Sequence, residues 1–97
     1  MHYVVIVRTD DTPDSDLGNY LANVGATLEP FSGDLLAFAS PERLEGTVAY
    51  TKTAVLSFPS EQDARGWYDS PAYQELAAWR IGVMGHQVEF NLVPGLN

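Results

Sequence analysis

The sequence predicts an α+β fold in the order βαββαβ, and three observations carry that prediction. Short runs rich in β-branched and apolar residues stand near the start (Tyr3 to Val7), in the middle (Thr51 to Phe58) and at the end (His86 to Val93). Apolar residues recur at the helical period after Pro13 and again after Pro71. Proline and glycine punctuate the joins. This order is the pattern of a ferredoxin-like fold, an antiparallel sheet with two helices on one face.

Taken in order, Tyr3-Val4-Val5-Ile6-Val7 is apolar at both parities, as expected of a strand covered on both faces. Thr12 then offers an N-cap, Pro13 a first helical residue, and Asp14 and Asp16 charges suited to the positive end of a helix. The acidic stretch from Thr9 to Asp16 lacks the alternating oxygen ligands and closing glutamate of a calcium loop, so it reads as solvated helix-start charge. Leu17, Tyr20, Leu21 and Val24 form an amphipathic stripe, and Gly25 supplies a stop, which places the first helix over 13–24. Residues 27–40 read as a strand bent at Ser32-Gly33-Asp34 and ended by Pro41.

After a loop over 41–46, the third strand places Ala54, Leu56 and Phe58 on one face. Pro59 stops it. Ser60 and Asp63 have capping-box spacing, and Ser70-Pro71 breaks the helix and starts another with its own cap. Tyr73, Leu76, Ala77, Arg80 and Met84 follow at the helical period, with Gly85 to close. The last strand sets Val88, Phe90 and Leu92 against Gln87, Glu89 and Asn91, and Pro94-Gly95 ends it.

The chain of 97 residues is expected to be a single domain, 1–97, with 45% apolar and 19% charged residues. Thirteen acidic residues against five basic ones give a formal charge of -8, which disfavours nucleic acid. No apolar run reaches the roughly 18 to 20 residues of a membrane span, and no signal-peptide pattern precedes the first strand, so a cytoplasmic location is expected. The absence of cysteine excludes disulfides and thiolate chemistry. Two helices cover one sheet face only, yet the first and third strands are apolar on both. A second copy, packed sheet to sheet, is the economical cover, and a homodimer with a barrel-like interior is expected.

Leu44-Glu45-Gly46, Phe58-Pro59-Ser60, Ala64, Trp67-Tyr68, Ser70-Pro71, Tyr73-Gln74 and Arg80 together resemble the pattern of the domain-of-unknown-function family numbered 1330. Tyr20 and Val93-Pro94-Gly95 extend the match over most of the chain. The resemblance implies a dimeric α/β-barrel fold and no established catalytic residues. Where that family has two glycines and a basic residue, this chain has Ser32-Gly33-Asp34, reversing the charge.

Among candidate site residues, Arg80 leads, because a guanidinium on a buried helical stripe needs a carboxylate or a ligand anion. Its structural alternative is an ion pair, with Glu45 as the candidate partner, or a stem on apolar surface. Trp67, Tyr68 and Tyr73 flank the helix break and suit a pocket lining, although aromatics at helical spacing are more often core. His86 shares the parity of Val88 and is a candidate base, outweighed by a structural role. His2 and His86 stand at the starts of antiparallel strands, so they form no metal site within one chain, and no cofactor motif is present. Three functions follow: a dimer that binds a small organic molecule in a cleft near the break at 67–73, a cofactor-independent enzyme (oxygenase, isomerase or cyclase), or a structural assembly module.

Overall fold

Alternation along the strands decides which side chains meet the helices. The structure, a computed structural model, describes residues 1–85 and 87–96, and of Met84 the backbone only. Strands β1 (His2–Arg8), β2 (Asp34–Ala39), β3 (Lys52–Phe58) and β4 (Val88–Pro94) form one antiparallel sheet in the order β2-β3-β1-β4. Helix α1 (Gly18–Leu28) joins β1 to β2, while α2 (Glu61–Asp69) and α3 (Pro71–Met84) join β3 to β4. Within the sheet Val5 opposes Val55 and Ile6 opposes Phe90. The order is ferredoxin-like, with the expected second helix divided in two at Ser70.

Val4, Leu56 and Phe58 pack with Leu28, Ala64, Trp67, Tyr73 and Ala77 to form the core, so the helices lie on the even-numbered face of β1 and β3. Phe58, Trp67 and Tyr73 have no exposed surface. Their rings stack, at 5.5 Å between Phe58 and Trp67 and 4.2 Å between Trp67 and Tyr73. Full burial of each such side chain stabilises the fold by about 1.5–3 kcal/mol. The opposite face carries Val5, Val7 and Val55, all half-buried, with the exposed Ala37 beside Val55 and the exposed Val93 beside Tyr3.

Several boundaries differ from expectation. Helix α1 passes through Gly25 to Leu28 and continues as a 3₁₀ turn over Glu29–Phe31. An interior glycine costs a helix about 1 kcal/mol, which burial of Leu28 and Phe31 against the core offsets. Residues 27–33 are therefore not strand. The left-handed position is taken by Ser32 (φ 55°). Gly33 is needed for space, because a Cβ there would stand 2.7 Å from Phe58 and 2.8 Å from Leu28. The sheet irregularity lies further on, between Leu35 and Ala37.

Caps explain the rest. Thr12 does not cap the first helix: a 3₁₀ turn over Asp14–Leu17 follows Pro13 with no side-chain cap. Ser60 accepts a hydrogen bond from the Asp63 N–H (3.1 Å), and its hydroxyl donates to the Asp63 carboxylate (3.0 Å). The shorter Asp thus meets the hydroxyl instead of the backbone, leaving half a capping box. Ser70 accepts from the Tyr73 N–H and donates to the Trp67 carbonyl, fastening the two helices at their join. Gly85, at φ 67°, closes α3. Among the described residues no helix is long and apolar enough to cross a membrane.

Candidate functional site

The period of α3 places Tyr73, Ala77 and Arg80 on one buried stripe facing the sheet. Arg80 is 5% exposed, and its guanidinium carbon lies 4.8 Å from the centre of the Phe90 ring. That stacking satisfies one face of the guanidinium. The Nε–H has no hydrogen-bond partner. Nor does Arg80 form a salt bridge among the described residues, where the ion pairs belong to Arg8, Lys52 and Arg65. A buried cation without a carboxylate is costly, and it marks a position where a ligand anion would be stabilised.

Arg80 borders a cavity of about 140 Å³ between the sheet and α1. Its walls are mainly apolar, among them Ile6, Leu17, Val24 and Leu56, with Arg8, Tyr20 and Arg80 as the polar members. Leu35 and Phe38 of the edge strand β2, both exposed, stand at its margin. Tyr20 shares a hydrogen bond of 2.8 Å with Tyr73. Burial pushes the Tyr73 hydroxyl far above the usual phenol range, Tyr20 beside it adds to the rise, and the charge of Arg80 opposes without cancelling it. Burial likewise raises Tyr20 against its hydrogen bond with Tyr73 and the charge and hydrogen bonding of Arg80. Both phenols therefore stay protonated at neutral pH. One hydroxyl hydrogen is used within the pair, so one remains to donate.

Arg8 is the second cation at the cavity, and its environment is the opposite. Its Nε donates to Asp10 Oδ1 at 3.0 Å and Nη2 to Asp10 Oδ2 at 3.2 Å, and Nη2 also donates to the Thr12 carbonyl at 2.9 Å. Arg8 and Asp10 are 7% and 6% exposed. Burial pushes the Asp10 carboxyl up, but hydrogen bonds from Arg8 and Thr12 and the charge of Arg8 outweigh it and hold the group at about 2. Asp10 is thus not a solvated helix-start charge, unlike the exposed Asp11, Asp14 and Asp16. Asp14 and Lys52 (3.2 Å) continue the cluster to the surface.

The fold keeps the three aromatics singled out from sequence together, with ring centres 4.2 to 6.3 Å apart, but gives each a different exposure and partner. Trp67 is sealed in the core, its Nε1–H donated to Thr27 Oγ1 at 3.0 Å. Tyr73 is equally buried, joining that core to Tyr20. Tyr68 is exposed and lines a groove of about 230 Å³ with Arg65, Asp69 and Asn91 beside the helix break. Phe90 lines both groove and cavity and separates them. Glu45 is exposed in the loop between β2 and β3 and makes no ion pair with Arg80. His86 lies outside the described residues. His2 opposes Pro94 at one end of the sheet while Arg8 opposes Val88 at the other, the antiparallel arrangement expected. Among the described residues no three metal-ligand side chains gather.

Sequence reasoning missed Arg8 and Asp10. The available signal was parity: Arg8 continues the helix-facing series of Val4 and Ile6 and so is carried inward, where it needs a carboxylate.

Solved structures with this architecture share little sequence with the chain. A protein of unknown function from Rhodopseudomonas palustris is 14% identical, with a TM-score of 0.71 over 99% of this chain and 83% of that one. A dimeric ferredoxin-like protein of unknown function from Jannaschia sp. CCS1 is 11% identical, with a TM-score of 0.71 over 97% and 98%. SnoaB, a cofactor-independent oxygenase from Streptomyces nogalater, is 14% identical, with a TM-score of 0.62 over 99% and 92%. At these identities the likeness concerns the fold. No curated protein matches the chain. The family does match: the model of the domain of unknown function DUF1330 covers residues 2–96, and the chain belongs to that family.

Proposed function

We propose that the protein is a cytosolic homodimer that binds a small organic molecule in the cavity between the sheet and α1. The observation that carries this reading is Arg80, buried at the cavity wall with its Nε–H unpartnered. Arg8, by contrast, is paired with a carboxylate. The cavity is close in volume to one of about 150 Å³ that accommodates benzene, so it suits a single ring or a short branched chain. The dimer is supported by the valine-rich sheet face that no helix covers and by the dimeric neighbour from Jannaschia.

Two experiments test this. Light scattering at low micromolar protein is expected to give twice the 10.6 kDa of one chain; a monomer removes the dimer. A thermal-shift series of small acids and phenols is expected to raise the melting temperature with at least one ring-sized compound. No shift with any of them removes the binding reading and leaves an assembly module. The cofactor-independent enzyme reading rests on fold likeness to SnoaB alone.

A further inference from the structure

Two arginines border one cavity, and the fold has already shown what one of them takes. Arg8 presents its Nε and Nη2 side by side, and the Asp10 carboxylate meets that edge with both oxygens, at 3.0 and 3.2 Å. The planar edge of a guanidinium matches a carboxylate in two parallel hydrogen bonds. At Arg80 the guanidinium rests on Phe90 and its Nε–H is buried without a hydrogen-bond partner. We infer that the cavity selects a monocarboxylate with a ring-sized apolar body, its carboxylate on the Arg80 edge as Asp10 sits on Arg8.

Three features narrow the ligand to this class. The guanidinium can only donate, and Tyr20 and Tyr73 have one hydroxyl hydrogen left between them to donate as well. A neutral group such as an alcohol can accept one hydrogen bond but leaves the charge of Arg80 uncompensated. Simple phenols are neutral near pH 7, whereas carboxylic acids are ionised there. The charge count also limits the ligand to one carboxylate. Arg8 is neutralised by Asp10, so one unpaired guanidinium remains among the described lining residues, and a second carboxylate would enter apolar walls without a partner.

The inference rests on the cavity being the binding site, and the test separates the two. Benzoate, benzamide and benzyl alcohol have the same ring and differ in charge. Calorimetry on the wild-type protein is expected to show benzoate binding about tenfold or more tighter than benzamide, the usual margin for a charge-assisted hydrogen bond. On binding, the Arg80 Nε–H resonance is expected to shift with benzoate. Arg80→Gln is expected to abolish the preference for benzoate while retaining benzyl alcohol, and Tyr20→Phe to weaken benzoate severalfold. Benzamide binding as tightly as benzoate overturns the carboxylate inference but leaves cavity binding intact, as does a benzoate preference that survives Arg80→Gln. Failure of all three compounds overturns both. Because the benzoate to benzamide ratio and the resonance are read on the wild type, the outcome does not depend on the variants folding.

Discussion

Arg8 and Arg80 are both almost wholly buried, border the same cavity and reach it from opposite layers, one from the sheet and one from α3. Arg8 is closed by a carboxylate, a carbonyl and the approach of Asp14 at 3.6 Å. Arg80 has an aromatic face and a buried Nε–H without a partner. The difference teaches that burial alone does not reveal a site. A paired buried cation fixes local structure: here it ties the end of β1 to the turn leading into α1, with the Thr12 N–H held by the same Asp10 carboxylate at 3.1 Å. An unpaired one leaves interaction energy unused in the folded protein, available to whatever enters.

The sharpest way to break this contrast is Asp10→Ala. Removing the carboxylate leaves Arg8 buried with a single carbonyl and the half-exposed Asp14 at 3.6 Å, and about 3 kcal/mol of stability is expected to disappear in urea unfolding. A loss below about 1 kcal/mol would mean that Arg8 is no more paired than Arg80. Acid gives the next effect. Asp10 titrates in the folded protein at about 2, below its ordinary 3.8. Its contribution is therefore complete above pH 4 and is lost as pH falls through 2. About 1–2 kcal/mol should go over that window, and Asp10→Asn should remove the corresponding part of the pH dependence.

Smaller effects sharpen the comparison further. Lys52 pairs with Asp14 and stands 4.9 Å from the Phe38 ring, at the partly exposed rim of the Arg8 cluster. Lys52→Ala is expected to cost under about 1 kcal/mol, since such pairs are screened and hold two mobile side chains. The smallest change is expected at Arg80 itself. Arg80→Met keeps much of the stem's volume and removes an uncompensated charge, so thermal unfolding should move by less than about 1 kcal/mol, or rise. A loss as large as that of Asp10→Ala would place Arg80 with Arg8 as a structural residue.

Much of the fold was legible because local signals and burial agree. The alternation of Ala54, Leu56 and Phe58, the double cap at Ser60 and Ser70, and the stripe from Tyr73 to Arg80 each depend on neighbours within a few residues. Where a local signal was outweighed by a distant contact, the reading failed. Gly25 reads as a stop, yet α1 continues because Leu28 finds the core beyond it. Gly33 reads as a flexible bend, yet it is small because Phe58, from another strand, occupies the space above it. The site is less legible still. Trp67 and Tyr68 are adjacent along the chain but differ in burial, one sealed in the core and the other lining a groove, because successive helical residues are turned about 100° apart. Tyr73 stands on the next helix, beyond the break.

The sequence by itself determined the βαββαβ order, the break at Ser70-Pro71 and the burial of Arg80, since periodicity and capping are local consequences of backbone geometry. Only the tertiary structure decided that Glu45 makes no ion pair with Arg80, that Asp10 closes Arg8, and that Arg80 borders a cavity with its Nε–H unpartnered. Arg8 and Asp10 are only two residues apart, but whether such a pair is buried, and whether Arg80 has a partner, is set by packing between elements far apart in the chain.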